Sequence, residues 1–452
     1  MRRATVILVA VLMLFTAVLS GCSGSSGTGG GKLKGKISFM DVSPRPEREQ
    51  FFRNMITEFN KEYPDVEVDY QTVPWDDAAT KLTNMAAAKQ LPDVINIYTG
   101  WIPQFVAAEW MIPLDTYLDN AGIKDKFTAF TKGYYWAEQQ EIYGHIYSIP
   151  DGLMSGGIFV RKDWMEEKNI ELSSWTWDDY FYLIEALTDP EQNRYGSSYR
   201  GARGAFDRIR EYLVSFTEGR MYDDEGNCLL YSEENVERFI KFTDVYMKGY
   251  APKDAINWGF TEMVDNFTGG LTGTLNNDTE VVAICQERME DSQWTVLPLP
   301  ASTVDGKTYG ASGASYGYAV SSFSKNQDAA WAFIEFLSRP ENNAEYCKVM
   351  TLIPIRTDVE NDPFFSEEGP MAGFLAQVND PNFVVMASYG PFDYTDLHQG
   401  PLHAEVQLYL QGKQSADETL KKLSDELASR MKAYLKDNPG TIPQPKSLVS
   451  GD

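Results

Sequence analysis

"LPDVINIYTGWIPQFVAAEWMIPLD" occupies residues 91–115. An apolar strand ("LPDVINIY"), an aromatic turn ("TGW") and a short helix ("IPQFVAAEW") follow one another without a spacer. A further turn and helix begin at "MIPLD". Working outward toward the N-terminus, the same alternation recurs. "KISFMDV" (Lys36–Val42) places Ile37 and Phe39 on one face of a strand. "PEREQFFRNMITEFNKEYPD" follows as an amphipathic helix with Phe51, Phe52, Met55, Ile56 and Phe59 on one side. "VEVDYQTV" is a second strand, and "DDAATKLTNMAAAKQ" a helix expected to start at Asp76 or Asp77. The order is β-α-β-α-β, which predicts an α/β fold with a parallel sheet and right-handed crossovers.

At the N-terminus, Arg2 and Arg3 precede an uncharged stretch from Val6 to Leu19. It is shorter than the roughly 20 apolar residues of a membrane span and has the form of a secretory h-region, so residues 1–21 read as a signal peptide. "LSGC" resembles the lipobox of bacterial lipoproteins, which implies cleavage before Cys22, lipid (palmitate) on that cysteine and tethering outside the cytoplasmic membrane. Residues 22–32, rich in Gly and Ser, then read as a tether with a reach of roughly 15–20 Å.

The remaining chain of about 430 residues suits two or more domains. With 40 Lys and Arg against 65 Asp and Glu, its net charge of −25 argues against nucleic acid or an anionic membrane surface as partner. Aromatic residues make up 13%, more than a core requires, and point to a surface that stacks on something. Cys228, Cys285 and Cys347 are widely spaced, with no CxxC, and read as buried thiols or one incidental disulfide. Only three histidines exist, which leaves little material for a zinc site or a Ser-His-Asp triad. No phosphate-binding glycine loop stands between a strand and a helix. The expectation is therefore no cofactor and no resident metal. The Asp-rich turns Asp189–Gly196 and Asp223–Asn227 are the places for calcium, both shorter than an EF-hand loop.

Further along, Thr176 and Ser232 read as helix N-caps, Gly219 as a helix stop, and Pro340 as a break in the helix that begins near Lys325. "NWGFTEMVDNFTGG" is a helix leading into the strand "LTGTLNNDT", and "SADETLKKLSDELASRMKAYLKD" is an amphipathic helix. The Pro- and Gly-rich segment 441–452 is expected to fray.

Four blocks then carry a resemblance. "LPDVINIYTGWIPQFVAAEWMIPLD", "YSIPDGLMSGGIFVRKDWMEEKNI", "WTWDDYFYLIEALTDPEQNRYG" and "DAAWAFIEFLSRPENNAEY" with "IPIRTDV" are similar, in order and spacing, to motifs of the extracellular solute-binding proteins of sugar ABC transporters. This is the class of maltose-binding protein (family 1). The resemblance implies a periplasmic-binding-protein-like fold of type II, two α/β lobes around a ligand cleft. Lobe one would be 33–150 plus 315–355, and lobe two 151–314 plus 385–440. Crossings near Ile149–Gly152 and Gly310–Tyr316 would act as hinges. It also implies a carbohydrate ligand, an ABC permease as partner, a monomer, no chemistry, and a place on the extracellular face of the membrane. The aromatic content points to an oligosaccharide. A capture or sensor protein without a permease, and a secreted glycan-degrading enzyme, remain open on the residues alone.

A sugar offers flat C–H faces to aromatic rings and paired hydroxyls to planar polar groups. Strand ends facing the cleft supply Asp41, Ser43 and Arg45 after the first strand, Trp75 after the second, and Tyr98 and Trp101 after the third. Trp101 is the foremost of these; the alternative for each is a solvated loop or core packing. Asp151 follows the first hinge strand, to bind a hydroxyl or cap a turn. In lobe two, "SSYRGARGAFDRIREY" is basic within an acidic chain, and Arg203 and Phe206 precede a helix start that faces the cleft in the family. Two or more arginines there would point to an acidic sugar. Asn276, Asn277 and Asp278 stand where many relatives present a tryptophan, and Trp258 is either a substitute ring or part of a helix core. Ser312 and Tyr316 lie at the second hinge; Asp393, His398 and His403 precede or begin a late helix, and His145 reads as a turn residue.

Overall fold

The computed structural model describes residues 33–359, 362–392, 394, 396–397 and 400–447. Cys22, Asp393 and His398 lie outside the described residues.

Strands β1 (Gly35–Asp41), β2 (Val66–Thr72) and β3 (Val94–Tyr98) pair in parallel, with Asp41 opposite both Thr72 and Asn96. Their carboxyl ends therefore finish at one edge of the sheet. Helix Pro46–Glu62 returns between β1 and β2 and buries Phe51, Phe52 and Phe59. Proline at the first helical position costs no hydrogen bond, because that N–H has no partner in a helix. Phe52 meets Phe39 edge-on at 4.9 Å, and Phe333 meets Phe39 at 5.4 Å, so two helices close together over the Phe39 side of β1. Each buried phenylalanine contributes about 1.5–3 kcal/mol over leaving it in water.

The chain then leaves this sheet. Its last strand there is β4 (Ile149–Pro150), after which β5 (Met154–Arg161) begins a second sheet. In that second sheet β5 pairs with β7 (Thr272–Asp278), and β7 pairs in parallel with β6 (Tyr195–Ser197). Strand β8 (Trp294–Leu297) also joins β5. After β9 (Thr308–Gly310), β10 (Ser312–Gly313) pairs with Met154 and Ser155, and β11 (Tyr316–Val320) re-enters the first sheet between β3 and β4. A third crossing, beyond the two expected hinge segments, runs through Ile353, which bridges to Leu153. A small third sheet joins β12 (Phe383–Val385) to β9 and to β13 (Lys446–Ser447).

Several local expectations hold. Thr176 forms a capping box with Asp179, and the Ser232 hydroxyl accepts the Asn235 N–H at 3.1 Å. Proline 340 separates helices Gln327–Leu337 and Pro340–Met350. Others need correction. The helix expected from Asp76 or Asp77 begins at Trp75, directly after Pro74. The segment from 441 is not wholly frayed: Lys446 and Ser447 pair with Val385 and Val384, and the Lys446 amine lies 3.7 Å from Glu138. The helix before Gly219 stops at Val214, and the turn that follows delivers Gly219 at φ +79°. Cys228, Cys285 and Cys347 are free thiols, and burial pushes the pKa of each upward. No described helix is long and apolar enough to cross a membrane.

Candidate functional site

The carboxyl ends of β1, β2 and β3, with the start of β11, bring four rings together. Trp75 stacks on Trp101 at 5.1 Å and an interplanar angle of 12°. Tyr98 meets Trp75 at 5.0 Å and Trp101 at 5.6 Å, both edge-on. Tyr316 joins from β11, where it is paired with Tyr98, at 5.9 Å from Trp75. Trp75 is 42% exposed, so one large apolar face remains open to solvent. Four predicted residues from three separate segments thus form one aromatic wall.

Beneath it lies a buried ionic cluster that sequence reasoning missed. Arg48, on the first helix, is 2% exposed and pairs with Asp41 at 3.1 Å and Asp151 at 3.7 Å. It also donates to the Asn96 amide oxygen, and its guanidinium sits 5.0 Å over the Tyr316 ring. Asp41 further accepts from the Tyr70 hydroxyl (3.2 Å) and the Ser43 N–H (3.0 Å). Asp151 accepts from the Tyr346 hydroxyl (2.8 Å) and the Asn96 amide (3.1 Å). Burial raises the Asp151 pKa to about 6, against the opposing pull of Arg48. Burial works against the Arg48 charge, yet its tyrosine and carboxylate neighbours hold its pKa above the ordinary value. Asp41 and Asp151 are therefore buried and engaged inside the protein, where they brace the wall from behind. The missed signal was the spacing from Asp41 to Arg48, which a helix start folds back onto the strand end.

The second sheet contributes a polar wall. At the end of β7, the Asp278 carboxylate accepts from Arg208 at 3.2 and 3.3 Å. Arg208 lies one turn into helix Ala205–Val214 and also pairs with Glu211 at 3.8 Å. The Asn276 amide donates to Glu211 at 3.0 Å. Glu211 Oε1, Asn276 Oδ1, Asn277 Nδ2 and Thr279 Oγ1 are buried without a hydrogen-bond partner. Burial raises the Glu211 pKa, opposed by Arg208; Arg208 is held above its ordinary value by Asp278 and Glu211 although burial opposes its charge. The neighbouring Glu280 is also raised, by burial and then by Asp278, and it feels the charge of Arg45 from the first sheet's edge. Ser312, on the segment that crosses back to the first sheet, pairs with Ser155 at the edge of the second sheet.

Other predicted residues fall elsewhere. Phe206 and Trp258 are buried in the core, the latter donating to Asp254 at 3.2 Å. Arg203 is exposed, and its backbone oxygen accepts from Arg200. Ser312 is tied to the Met154 carbonyl at 3.1 Å. His403 is half-buried on helix Pro401–Leu410 with an unpartnered Nδ1, and His145 pairs with Asp115 at 3.3 Å. In the two turns considered for calcium, Asp223 accepts the N–H groups of Glu225 and Asn227, and Asp189 that of Gln192, so each carboxylate closes its own loop. A separate cavity of about 1140 Å³, bordered by Phe130, Leu153, Val296 and Phe365, shares no residue with either wall.

Comparison with known proteins agrees with this architecture. A family model described as bacterial extracellular solute-binding protein matches residues 44–344. The maltotriose-binding protein of Pyrococcus abyssi is 24% identical over 397 residues, covering 84% of this chain and 81% of the relative. The sugar-binding protein MalE of Xanthomonas citri superposes with a TM-score of 0.72 at 20% identity, over 90% of this chain and 100% of that one. Maltose-bound MalE3 of T. maritima gives 0.67 at 21% identity, over 87% and 99%. Two α/β lobes of the MalE type are thus the fold, and the chain belongs to the bacterial extracellular solute-binding protein family.

Proposed function

We propose that the protein captures a carbohydrate, an oligosaccharide, between the aromatic and polar walls and delivers it to an ABC importer without altering it. The observation that carries this reading is the four-ring wall with the exposed Trp75 face, set across the crossings from Asn276, Asn277 and Asp278. Stacked rings match the C–H faces of sugar rings, and amides and carboxylates match hydroxyl pairs. Relatives named as maltotriose-binding and arabinooligosaccharide-binding proteins support the same class. Ligand contacts to both lobes are completed only when the lobes approach, so binding shifts the protein toward a closed state that a permease recognises. Lipidation of Cys22 holds it at the extracellular membrane face, and acidic lobe surfaces meet basic permease loops. The lobes act as a monomer with hinges at Ile149–Gly152 and Gly310–Tyr316, and need no metal.

A thermal-shift screen of neutral and acidic oligosaccharides, with calorimetry on hits, tests binding. Small-angle scattering should then show contraction with a hit. Stabilisation by a peptide but by no saccharide would overturn the reading, and turnover of a bound glycan would replace capture with catalysis.

A further inference from the structure

Five arginines lie on or just before two helices: Arg45 and Arg48 at the first helix, and Arg200, Arg208 and Arg210 at helix Ala205–Val214. An arginine that faces a ligand recognises a carboxylate or sulfate bidentately. The structure holds three of these guanidinium groups inside the protein. Arg48 is enclosed by Asp41 and Asp151. Arg210 is buried, lies over the Tyr389 ring at 4.0 Å and donates to the Ala387 carbonyl at 3.2 Å. Arg200 donates through Nε to the Arg203 carbonyl at 2.8 Å, and Arg45 is exposed at the edge of the first sheet. Arg208 is the one aimed along the end of β7, and its side chain is only 11% exposed, whereas that of Asp278 is 32% exposed. Asp278 therefore stands between Arg208 and the solvent.

Gly156 completes the arrangement. It is paired with Asp278, and a Cβ there would lie 3.4 Å from Glu211 Oε1 and 3.6 Å from Asp278 Oδ1. With no side chain at this position, a methyl-sized gap remains between the two carboxylates and Leu299, and Glu211 Oε1 is a buried acceptor without a donor among the described residues. Two carboxylates with room for a hydroxyl donor accept O–H groups and repel a second anion.

Building on the carbohydrate reading above, we infer that Asp278 is a specificity-determining residue: it covers Arg208, so the end of β7 presents a carboxylate to the ligand and favours uncharged, hydroxyl-rich saccharides over uronated or sulfated ones. Removing the Asp278 charge uncovers a guanidinium and turns the preference toward anionic sugars.

The test is calorimetry at neutral pH with a neutral oligosaccharide from the screen and its counterpart carrying one uronate. Wild type should bind the neutral sugar at least tenfold more tightly. The gap should narrow between roughly 0.01 M and roughly 1 M salt, because the penalty is electrostatic. In Asp278→Asn the ratio should fall at least tenfold toward the uronate. Asp278→Ser is the second variant if the amide does not fold, and the salt series on wild type needs no variant. Equal or tighter binding of the uronate by wild type, or an unchanged ratio in a folded variant, overturns the inference and leaves sugar binding intact. Failure of both sugars, with no other saccharide bound, overturns the carbohydrate reading itself and this inference with it.

Discussion

Arg48 shows how one residue supports a wall it does not belong to. Its removal leaves Asp41 and Asp151 buried without a counter-charge, so Arg48→Met should cost about 3–5 kcal/mol in urea unfolding. Trp75 behaves oppositely, because nearly half of it is already in water. Trp75→Ala should leave the melting temperature nearly unchanged while weakening oligosaccharide binding about tenfold, or about 1.4 kcal/mol, by calorimetry. Unaltered affinity would remove Trp75 from the site. Asp151 adds a pH signature. Its folded pKa, about 6, lies above the unfolded value, so the folded state holds the proton more tightly. Stability from this group therefore grows as pH falls from about 6 toward the ordinary aspartate range and is lost as pH rises through about 6. Wild type should gain about 1 kcal/mol on Asp151→Asn at pH ~5 relative to pH ~7. A constant difference would show that Asp151 titrates normally.

Elements were legible in the sequence where a local rule governs them. The Thr176 capping box needs only residues 176–179, and Thr176→Ala should lower stability by about 1 kcal/mol. Alternating Ile37 and Phe39 sufficed for β1. The ring cluster of Trp75, Tyr98, Trp101 and Tyr316 could be anticipated because strand ends in a parallel sheet converge. The Arg48–Asp151 and Arg208–Asp278 pairs could not be placed, because those partners lie far apart in the chain and spacing does not encode the contacts. The burial of Phe206 and Trp258 could not be read locally either: an aromatic near a helix start has the same pattern whether it faces solvent or the core. Strand β13 was overlooked since two residues have no periodicity. A chain ending at Gly440 loses that pairing and the Lys446 contact with Glu138, and should melt at least about 2 °C lower. An unchanged melting curve would mean the tail contributes nothing to stability.

At the scale of the molecule, three crossings connect two sheets, and neither lobe is a continuous stretch of chain. The return of β11 between β3 and β4 has a consequence for how the protein is made. Until Tyr316–Val320 has been synthesised, β3 keeps an open edge and β4 has no neighbour in its sheet. Closure over so long a loop is slow, and an unfinished sheet edge invites pairing with other chains. An isolated 33–150 fragment should therefore aggregate or remain unfolded by circular dichroism, while a chain reaching Met350 restores the first sheet's final strand and the helices that cover it. The same late-arriving strand delivers Tyr316 to the aromatic wall, so completion of the first sheet and assembly of the ligand-facing rings are a single kinetic event.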